Sequence, residues 1–265
     1  MERLEGLFSE WRPTSDISRL NDAPGTWLAV APETVRLLEL ARQVSALTDG
    51  AFDISFAACE ADWSAQPPRR PDAAELRRCR SHVRWQSVET RPSPPSARLG
   101  PPIERVGVAG IAKGWIVEAA AQRLEAWDFA TYLVEGGGDL RLGRSPGAAG
   151  WRVGIRGPAE SPAPAPLQLE RIAVVSSGDA ERFVETETGR YHHLLVPATG
   201  EPAHGSRLVT VMATDAGLAD ALATGLFVLG PERGLALAEA LPEVEARFVD
   251  AALQVTTTSG FPSGE

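Results

Sequence analysis

Lysine is almost missing from this 265-residue chain. Lys113 is the only one, and the rest of the 26 basic residues are arginine. A composition that keeps a single lysine at one point suggests a compact ammonium is wanted there, rather than a planar fork. Positive charge is also in short supply. The net charge is −9, and no basic stripe with interleaved aromatics occurs, which argues against nucleic-acid binding. Arg69, Arg70, Arg77, Arg78, Arg80 and Arg84 cluster, but acids and prolines interrupt them, as on a solvated surface. The two cysteines, Cys59 and Cys79, specify neither a zinc site nor a disulfide framework. No run of 18 apolar residues is present, so no membrane span is expected. The first residues, Met1 to Leu7, carry no apolar signal core, and a cytoplasmic location is expected unless the true start lies upstream. Apolar residues make up 43% and charged residues 23%, an ordinary globular balance with enough chain for one large domain or two small ones.

The sole lysine sits in Gly107-Val108-Ala109-Gly110-Ile111-Ala112-Lys113-Gly114-Trp115, a glycine-rich turn running into a helix. Glycines allow close backbone approach, and the unpaired N–H groups of a helix start attract anions such as phosphate. Helical spacing puts Ile116, Val117, Ala120, Leu124 and Trp127 on the core side and turns Glu118, Gln122, Arg123 and Glu125 outward. The order Ala-Lys-Gly is not a P-loop, and Ala109 breaks a dinucleotide fingerprint. The residues alone therefore indicate an anion near a helix start without naming it.

Elsewhere, Ser15, Asp16, Ser18 and Asn21 read as a turn or a short capped helix. Pro32 to Thr48 reads as a helix stopped by Asp49-Gly50. Ala51-Phe52-Asp53 then forms either a binding corner or a buried aromatic with an aspartate cap. Asp72 to Cys79 is a small helix between two proline-rich loops, Pro67 to Pro71 and Arg91 to Pro102. Tyr132 to Val134 reads as a buried strand, followed by Glu135-Gly136-Gly137-Gly138-Asp139, where three glycines imply close backbone approach. Trp151 to Ile155 alternates like a strand, and Gly157 to Pro166 reads as a loop. Further strands are expected at Ile172–Val175 (opening into Ser176-Ser177-Gly178-Asp179), Leu208–Met212, Ala246–Val249 and Leu253–Thr257. A helix from Asp215 to Leu229 should turn Leu218, Leu222, Leu226 and Leu229 to the core. Asp220 and Thr224, four apart, share a helical face and could hold a hard cation such as Mg²⁺. Mixed order of helices and strands argues for an α+β protein with largely antiparallel sheets.

The motifs together resemble the ApbE-type family, the FAD:protein FMN transferases. Ser9 to Asn21 looks like the family's Ser-x-Tyr-x-x-x-Ser-Glu-Ile-Ser-Arg-Leu-Asn, and Gly50 to Asp53 its Gly-Ala-Phe-Asp. Gly107 to Trp115 resembles Asp-Leu-Gly-Gly-Ile-Ala-Lys-Gly-Tyr. Gly137 to Asp139 matches Gly-Gly-Asp, and Ser176 to Asp179 is similar to Thr-Ser-Gly-Asp. Tyr191 to Gly200 resembles Tyr-Ser-His-Ile-Ile-Asp-Pro-Arg-Thr-Gly. Ala219 to Gly230 is similar to Ala-Asp-Ala-Leu-Ser-Thr-Ala-Leu-Phe-Val-Leu-Gly. The motifs follow family order from Phe8 to Asp250.

The resemblance implies one ApbE-like domain over residues 1–265, a two-part α+β fold related to the T-fold with FAD held between the parts. It implies Mg²⁺-dependent transfer of FMN from FAD to a threonine hydroxyl of a partner flavoprotein, with release of AMP. By position, Asp220, Thr224 and the Gly110 carbonyl would bind the metal, and His193 would be the base or proton relay. Trp11, Ala51, Phe52, Asp53, Lys113 and Leu194 would lie near FAD. Several positions depart from the pattern. Gly107 and Val196 stand where the family has aspartate, Ala198 where it has a basic residue, and Trp11 where tyrosine is common. His192, where the family has serine, reads as a surface residue, and the family's opening Met-Gly-Thr strand is missing from the sequence as given. These departures keep two alternatives open: a Mg²⁺-dependent FAD pyrophosphatase giving FMN and AMP, and a non-catalytic FAD-binding protein.

Overall fold

The computed structural model describes residues 1–63, 69–157, 164–179, 183–186 and 189–264. It divides into two compact units, each made of two chain segments. The first is Met1–Gly110 with Glu181–Ala203, and the second is Ile111–Ala180 with His204–Glu265.

In the first unit three helices, Glu2–Phe8, Asp16–Asp22 and Pro32–Leu47, are joined to a three-stranded antiparallel sheet in the order Leu28–Ala29, Pro95–Leu99, Val88–Pro92. The short helix is capped as its sequence foretells, with Ser15 Oγ accepting the Ser18 N–H at 3.0 Å. Its buried Asp16 then reaches the next helix, accepting the Ala31 N–H and the Thr34 hydroxyl, each at 2.7 Å. Pro32 occupies the first turn of the long helix, where a missing N–H costs nothing. The helix Ala73–Arg80 opens on a full capping box between Asp72 and Glu75.

Residues 91–102 are not simply a loop. Val88–Pro92 and Pro95–Leu99 pair as a hairpin, with Val88, Ala97 and Leu99 buried. The prolines stand at its turn, with Pro92 opposite Pro95, where the ladder ends. Cys59 and Cys79 form a disulfide, which the cysteine count alone did not specify. It joins the helix Ala57–Trp63 to Ala73–Arg80. A two-stranded ribbon, Phe183–Thr186 with Gly189–His192, completes this unit.

The second unit is a six-stranded antiparallel sheet. Its order is Val255–Thr257, Glu245–Asp250, Ser206–Ala213, Ala173–Gly178, Asp139–Leu142, Leu133–Gly136. A ribbon of Trp151–Val153 and Leu167–Leu169 adds to a core with Leu142, Val174 and Met212. Most of the expected Gly157 to Pro166 loop lies outside the described residues. The strand expected to be buried at Tyr132 to Val134 is instead the sheet's edge, Leu133–Gly136, with Leu133 44% exposed. The strand expected to end at Val175 runs on to Gly178, because Ser176 and Ser177 pair with Thr210 and Val209.

The helix Ala216–Ala240 packs on the sheet and opens on Asp215, whose carboxylate accepts the Leu218 N–H at 2.8 Å. It passes the expected end at Leu229, breaking at Gly230 (φ +78) before Pro231 and then resuming. Its core side is wider than the expected leucine stripe. Leu222 and Leu226 are fully buried, but so are Ala219, Ala221, Ala223 and Phe227, while Leu218 and Leu229 are only partly covered. By length and composition it could cross a membrane. Its apolar residues are instead spent on this core.

The helix Ala109–Glu125 corrects a second face. Ile111, Gly114, Val117, Glu118 and Ala121 are buried, while Trp127, expected inside, is 57% exposed. The helix presents a glycine and a glutamate to the core because the glycine N–H donates to the Asp220 carboxylate there and the glutamate accepts the Ala216 N–H.

Candidate functional site

The approach to the lysine helix is fixed by the Ser9–Asn21 motif. Asn21 closes a two-way bridge with Val106, donating to its carbonyl at 3.0 Å and accepting its N–H at 2.8 Å. Gly107 N–H donates to Ile54 O at 2.8 Å, and Val108 N–H to Glu10 Oε1 at 2.9 Å. These bonds use backbone groups that would be orphaned ahead of a helix. Gly110 lies in the first turn of that helix and ends the first unit.

One turn on, Lys113 meets the Glu135–Asp139 turn. Its ammonium lies 2.9 Å from Oδ1 of Asp139, a residue only 1% exposed, and 3.2 Å from the Gly137 carbonyl. The glycines have a visible purpose. A Cβ on Gly137 (φ +61) would stand 3.3 Å from Lys113 Cδ, and one on Gly136 would press to 2.8 Å from Val117. The hairpin is thus moulded around a slim side chain, which explains why arginine does not replace this lysine.

The same helix crosses the start of Ala216–Ala240 in backbone contact at Gly114. A Cβ there would fall on the Ala216 carbonyl oxygen and 2.6 Å from Asp220 Cβ. The Gly114 N–H donates to Asp220 Oδ2 at 2.9 Å, so the aspartate, 4% exposed, is held by the backbone of the lysine helix. Thr224 follows one turn later, its hydroxyl 3.3 Å from Ser177 Oγ. Glu118 closes the crossing: Oε2 accepts the Ala216 N–H and the Arg141 Nε–H, both at 3.0 Å. Burial pushes its carboxyl above the usual range despite those donors.

Among the described residues no group of three or more His, Cys, Asp or Glu could hold a metal. A buried carboxylate and a hydroxyl one turn apart do fit a hard cation that keeps waters and phosphate oxygens as its other ligands. They do not fit a closed zinc site.

In the first unit Ala51 follows the left-handed Asp49 and Gly50, and Phe52 is 4% exposed with its N–H on Thr48 Oγ1. Asp53 is a cap. Oδ1 accepts from the Ser55 N–H at 2.8 Å and the Ser55 hydroxyl at 2.6 Å, and Oδ2 from the Trp85 N–H at 3.1 Å. Burial raises its pKa above the ordinary aspartate value. Trp11 is 92% exposed.

His193 is exposed at the bend after Gly189–His192, and Leu194 beside it is buried. His192, expected at the surface, is a half-buried clamp. Its Nε2 faces the Ala203 carbonyl at 2.7 Å and its Nδ1 the Leu194 N–H at 3.2 Å. A carbonyl can only accept and an amide N–H only donate, so the ring carries its proton on Nε2. Behind this loop, Trp63 Nε1 donates to Gly200 O at 2.7 Å.

The predicted residues thus divide by unit. Lys113, Asp220 and Thr224 gather at the helix crossing of the second. Trp11, Ala51, Phe52, Asp53, Gly110, His193 and Leu194 belong to the first. Glu10, Glu118, Asp139, Ser177 and His192 were missed as partners. All but Glu118 lie within the family-like motifs of the sequence, though none of those motifs names the partner each residue has in the structure.

The ApbE family profile matches residues 1–248. The chain belongs to the ApbE family. Among curated ApbE-family relatives it is 32% identical over 252 residues to the FAD:protein FMN transferase of Vibrio cholerae, covering 91% of this chain and 74% of that one. It is 31% identical over 281 residues to the protein of that name from Treponema pallidum, covering 98% and 77%. Among solved ApbE structures it is similar to the Thermotoga maritima ApbE protein, with TM-score 0.91 and 30% identity over 98% of this chain and 87% of that one. The apo flavinyl transferase ApbE of Pseudomonas stutzeri follows at TM-score 0.86 and 31% identity, covering 98% and 84%.

Proposed function

We propose that this protein transfers FMN from FAD to a threonine hydroxyl of a partner flavoprotein and releases AMP, with Mg²⁺. The observation that carries the reading is Asp220. It is a buried carboxylate aimed by the Gly114 N–H, one residue from the sole lysine and one turn before Thr224, in a chain matching the ApbE family over residues 1–248.

Asp220, Thr224 and the Gly110 carbonyl would hold the cation, which when bound neutralises charge on the phosphates. The residues of the chain do the rest. Gly114 keeps Asp220 from swinging away, and Ser177 orients the Thr224 hydroxyl. Lys113, set by Asp139, offers a fixed ammonium to the FAD pyrophosphate. His193 takes the proton of the attacking hydroxyl as the new oxygen–phosphorus bond forms and the bond to AMP breaks. Such general-base help is typically worth ~10²–10⁴ in rate. His192 fixes the backbone that presents it.

The test is incubation of the purified protein with FAD, Mg²⁺ and a threonine-bearing acceptor domain, with AMP and flavin-labelled acceptor followed together. The expected result is both products, lost in His193→Ala and Asp220→Ala. AMP without label would make the enzyme a pyrophosphatase. Bound FAD with neither product would overturn the assignment.

A further inference from the structure

We infer that Glu10 supplies the carboxylate that residue 107 lacks, and that it is a positioning residue for FAD at the entry to the lysine helix. The inference rests on the reading of FAD as the substrate. The central motif has glycine at 107 where the family pattern has aspartate. That corner of the structure is nevertheless not without an acid. A Cβ built on Gly107 would stand 3.2 Å and 3.3 Å from the two carboxylate oxygens of Glu10, and 3.0 Å from the Cβ of Ala57. Glu10 has therefore brought its charge to the place a side chain on residue 107 would enter.

The charge is held there. Oε1 accepts the Val108 N–H at 2.9 Å, immediately ahead of the first helical residue, where the partial positive charge of a helix start favours an anion. Arg105 Nη2 stands 4.0 Å from Oε2, and the Glu10 side chain is only 15% exposed. The backbone that carries Glu10 is fixed in turn, because the Ser9 carbonyl accepts from Ser15 Oγ at 2.5 Å and from Ser18 Oγ at 3.2 Å. An aspartate at 107 beside Glu10 would crowd two like charges into one corner, which costs energy. The corner has room for one carboxylate without repulsion, and in this chain it is rooted at residue 10 rather than residue 107.

A charge swap tests this. Glu10→Ala, Gly107→Asp and the double variant are compared with the wild type by flavin-fluorescence titration of FAD, thermal unfolding and AMP release. A charge-assisted hydrogen bond is worth enough to change an equilibrium by about 10–100-fold. Glu10→Ala should weaken FAD binding on that scale. Gly107→Asp alone should also weaken it, by repulsion from Glu10. The double variant, with one carboxylate again, should recover to within about threefold of wild type, a reversal of sign that independent sites do not show. Losses that simply add in the double variant overturn the inference, and so does an unchanged affinity in Glu10→Ala. Recovery of the unfolding temperature without recovery of FAD affinity also overturns it, leaving Glu10 as scaffold alone. If Glu10→Ala does not fold, Glu10→Gln keeps the Val108 bond without the charge and enters the same cycle. A wild type that binds no FAD refutes the proposed substrate instead, and the unfolding cycle then shows whether residues 10 and 107 still share the corner.

Discussion

Gly114→Ala is the smallest change that strikes the helix crossing. The added methyl has nowhere to go. It would meet the Ala216 carbonyl oxygen, its carbon at 2.8 Å and Asp220 Cβ at 2.6 Å, and two of these three atoms are backbone, which no rotamer change can move. The helices must separate. Overpacking of this kind costs about 1–3 kcal/mol. Separation also stretches the 2.9 Å bond from Gly114 N–H to Asp220, and a hydrogen bond to a charged group contributes about 1.5–3 kcal/mol. For a chain of this size each kcal/mol lowers the unfolding temperature by roughly 2–4 °C, so a fall of about 5–24 °C is expected. Activity should fall further than stability requires. A displacement of about 1 Å at a reacting centre can cost ~10²-fold. Thermal unfolding and Mg²⁺-dependent AMP release, measured below the variant's transition, separate the two effects. Gly6→Ala is the control, since nothing lies within 4 Å of its added methyl and a helical glycine should gain about 0.5–1 kcal/mol from the change. A Gly114→Ala protein that melts and turns over like the wild type would refute the crossing as described.

Three more expectations concern groups outside that contact. Asp139→Asn removes the buried counter-charge of Lys113 and should raise the KM for FAD about tenfold or more with a smaller change in kcat; steady-state AMP release at varied FAD reads the split. Opening the Cys59–Cys79 bridge, 20 residues apart in sequence, should cost about 2–4 kcal/mol, seen as a lower unfolding temperature in dithiothreitol that is absent in a Cys59→Ser/Cys79→Ser protein. Glu118 has a raised carboxyl pKa in the fold, so the folded chain keeps its proton to higher pH than the unfolded chain does. Its contribution is therefore fully present below the usual glutamate value and is lost as pH rises through the raised one, at up to about 1.4 kcal/mol per pH unit. Denaturant titrations should show wild type losing stability relative to Glu118→Gln across that window, and a difference that grows in the opposite direction would contradict the burial argument.

Local chemistry was legible where it acts locally. The cap at Ser15, the proline at the start of Pro32–Leu47 and the stop at Asp49-Gly50 are all set by neighbours within four residues. The shared face of Asp220 and Thr224 on the helix Ala216–Ala240 was legible for the same reason, since it follows from a spacing of four. What was lost depends on partners far along the chain. Glu118 was turned outward because a charge on a helix usually is, and the two donors that hold its Oε2 inside lie 23 and 98 residues away. His192 read as surface because its acceptor, the Ala203 carbonyl, is 11 residues on in the chain. The Val88–Leu99 hairpin was hidden by prolines whose harmlessness depends on standing at its turn. Gly230 and Pro231 are strong stop signals, and the chain obeys them for one residue before the sheet beneath supports a second helical stretch.

The chain passes between its two units three times, at residues 110–111, 180–181 and 203–204. Neither half is a contiguous gene fragment. A piece cut to begin at Ile111 carries with it the ribbon with His192 and His193 of the other unit, while a piece ending at Gly110 leaves them behind. The protein therefore cannot be shortened to its second unit by moving one terminus. Exchange of a unit between two relatives needs three junctions rather than one. Recombination at a single breakpoint would build a unit from segments of different parents, which gives this arrangement a reason to be inherited as a whole.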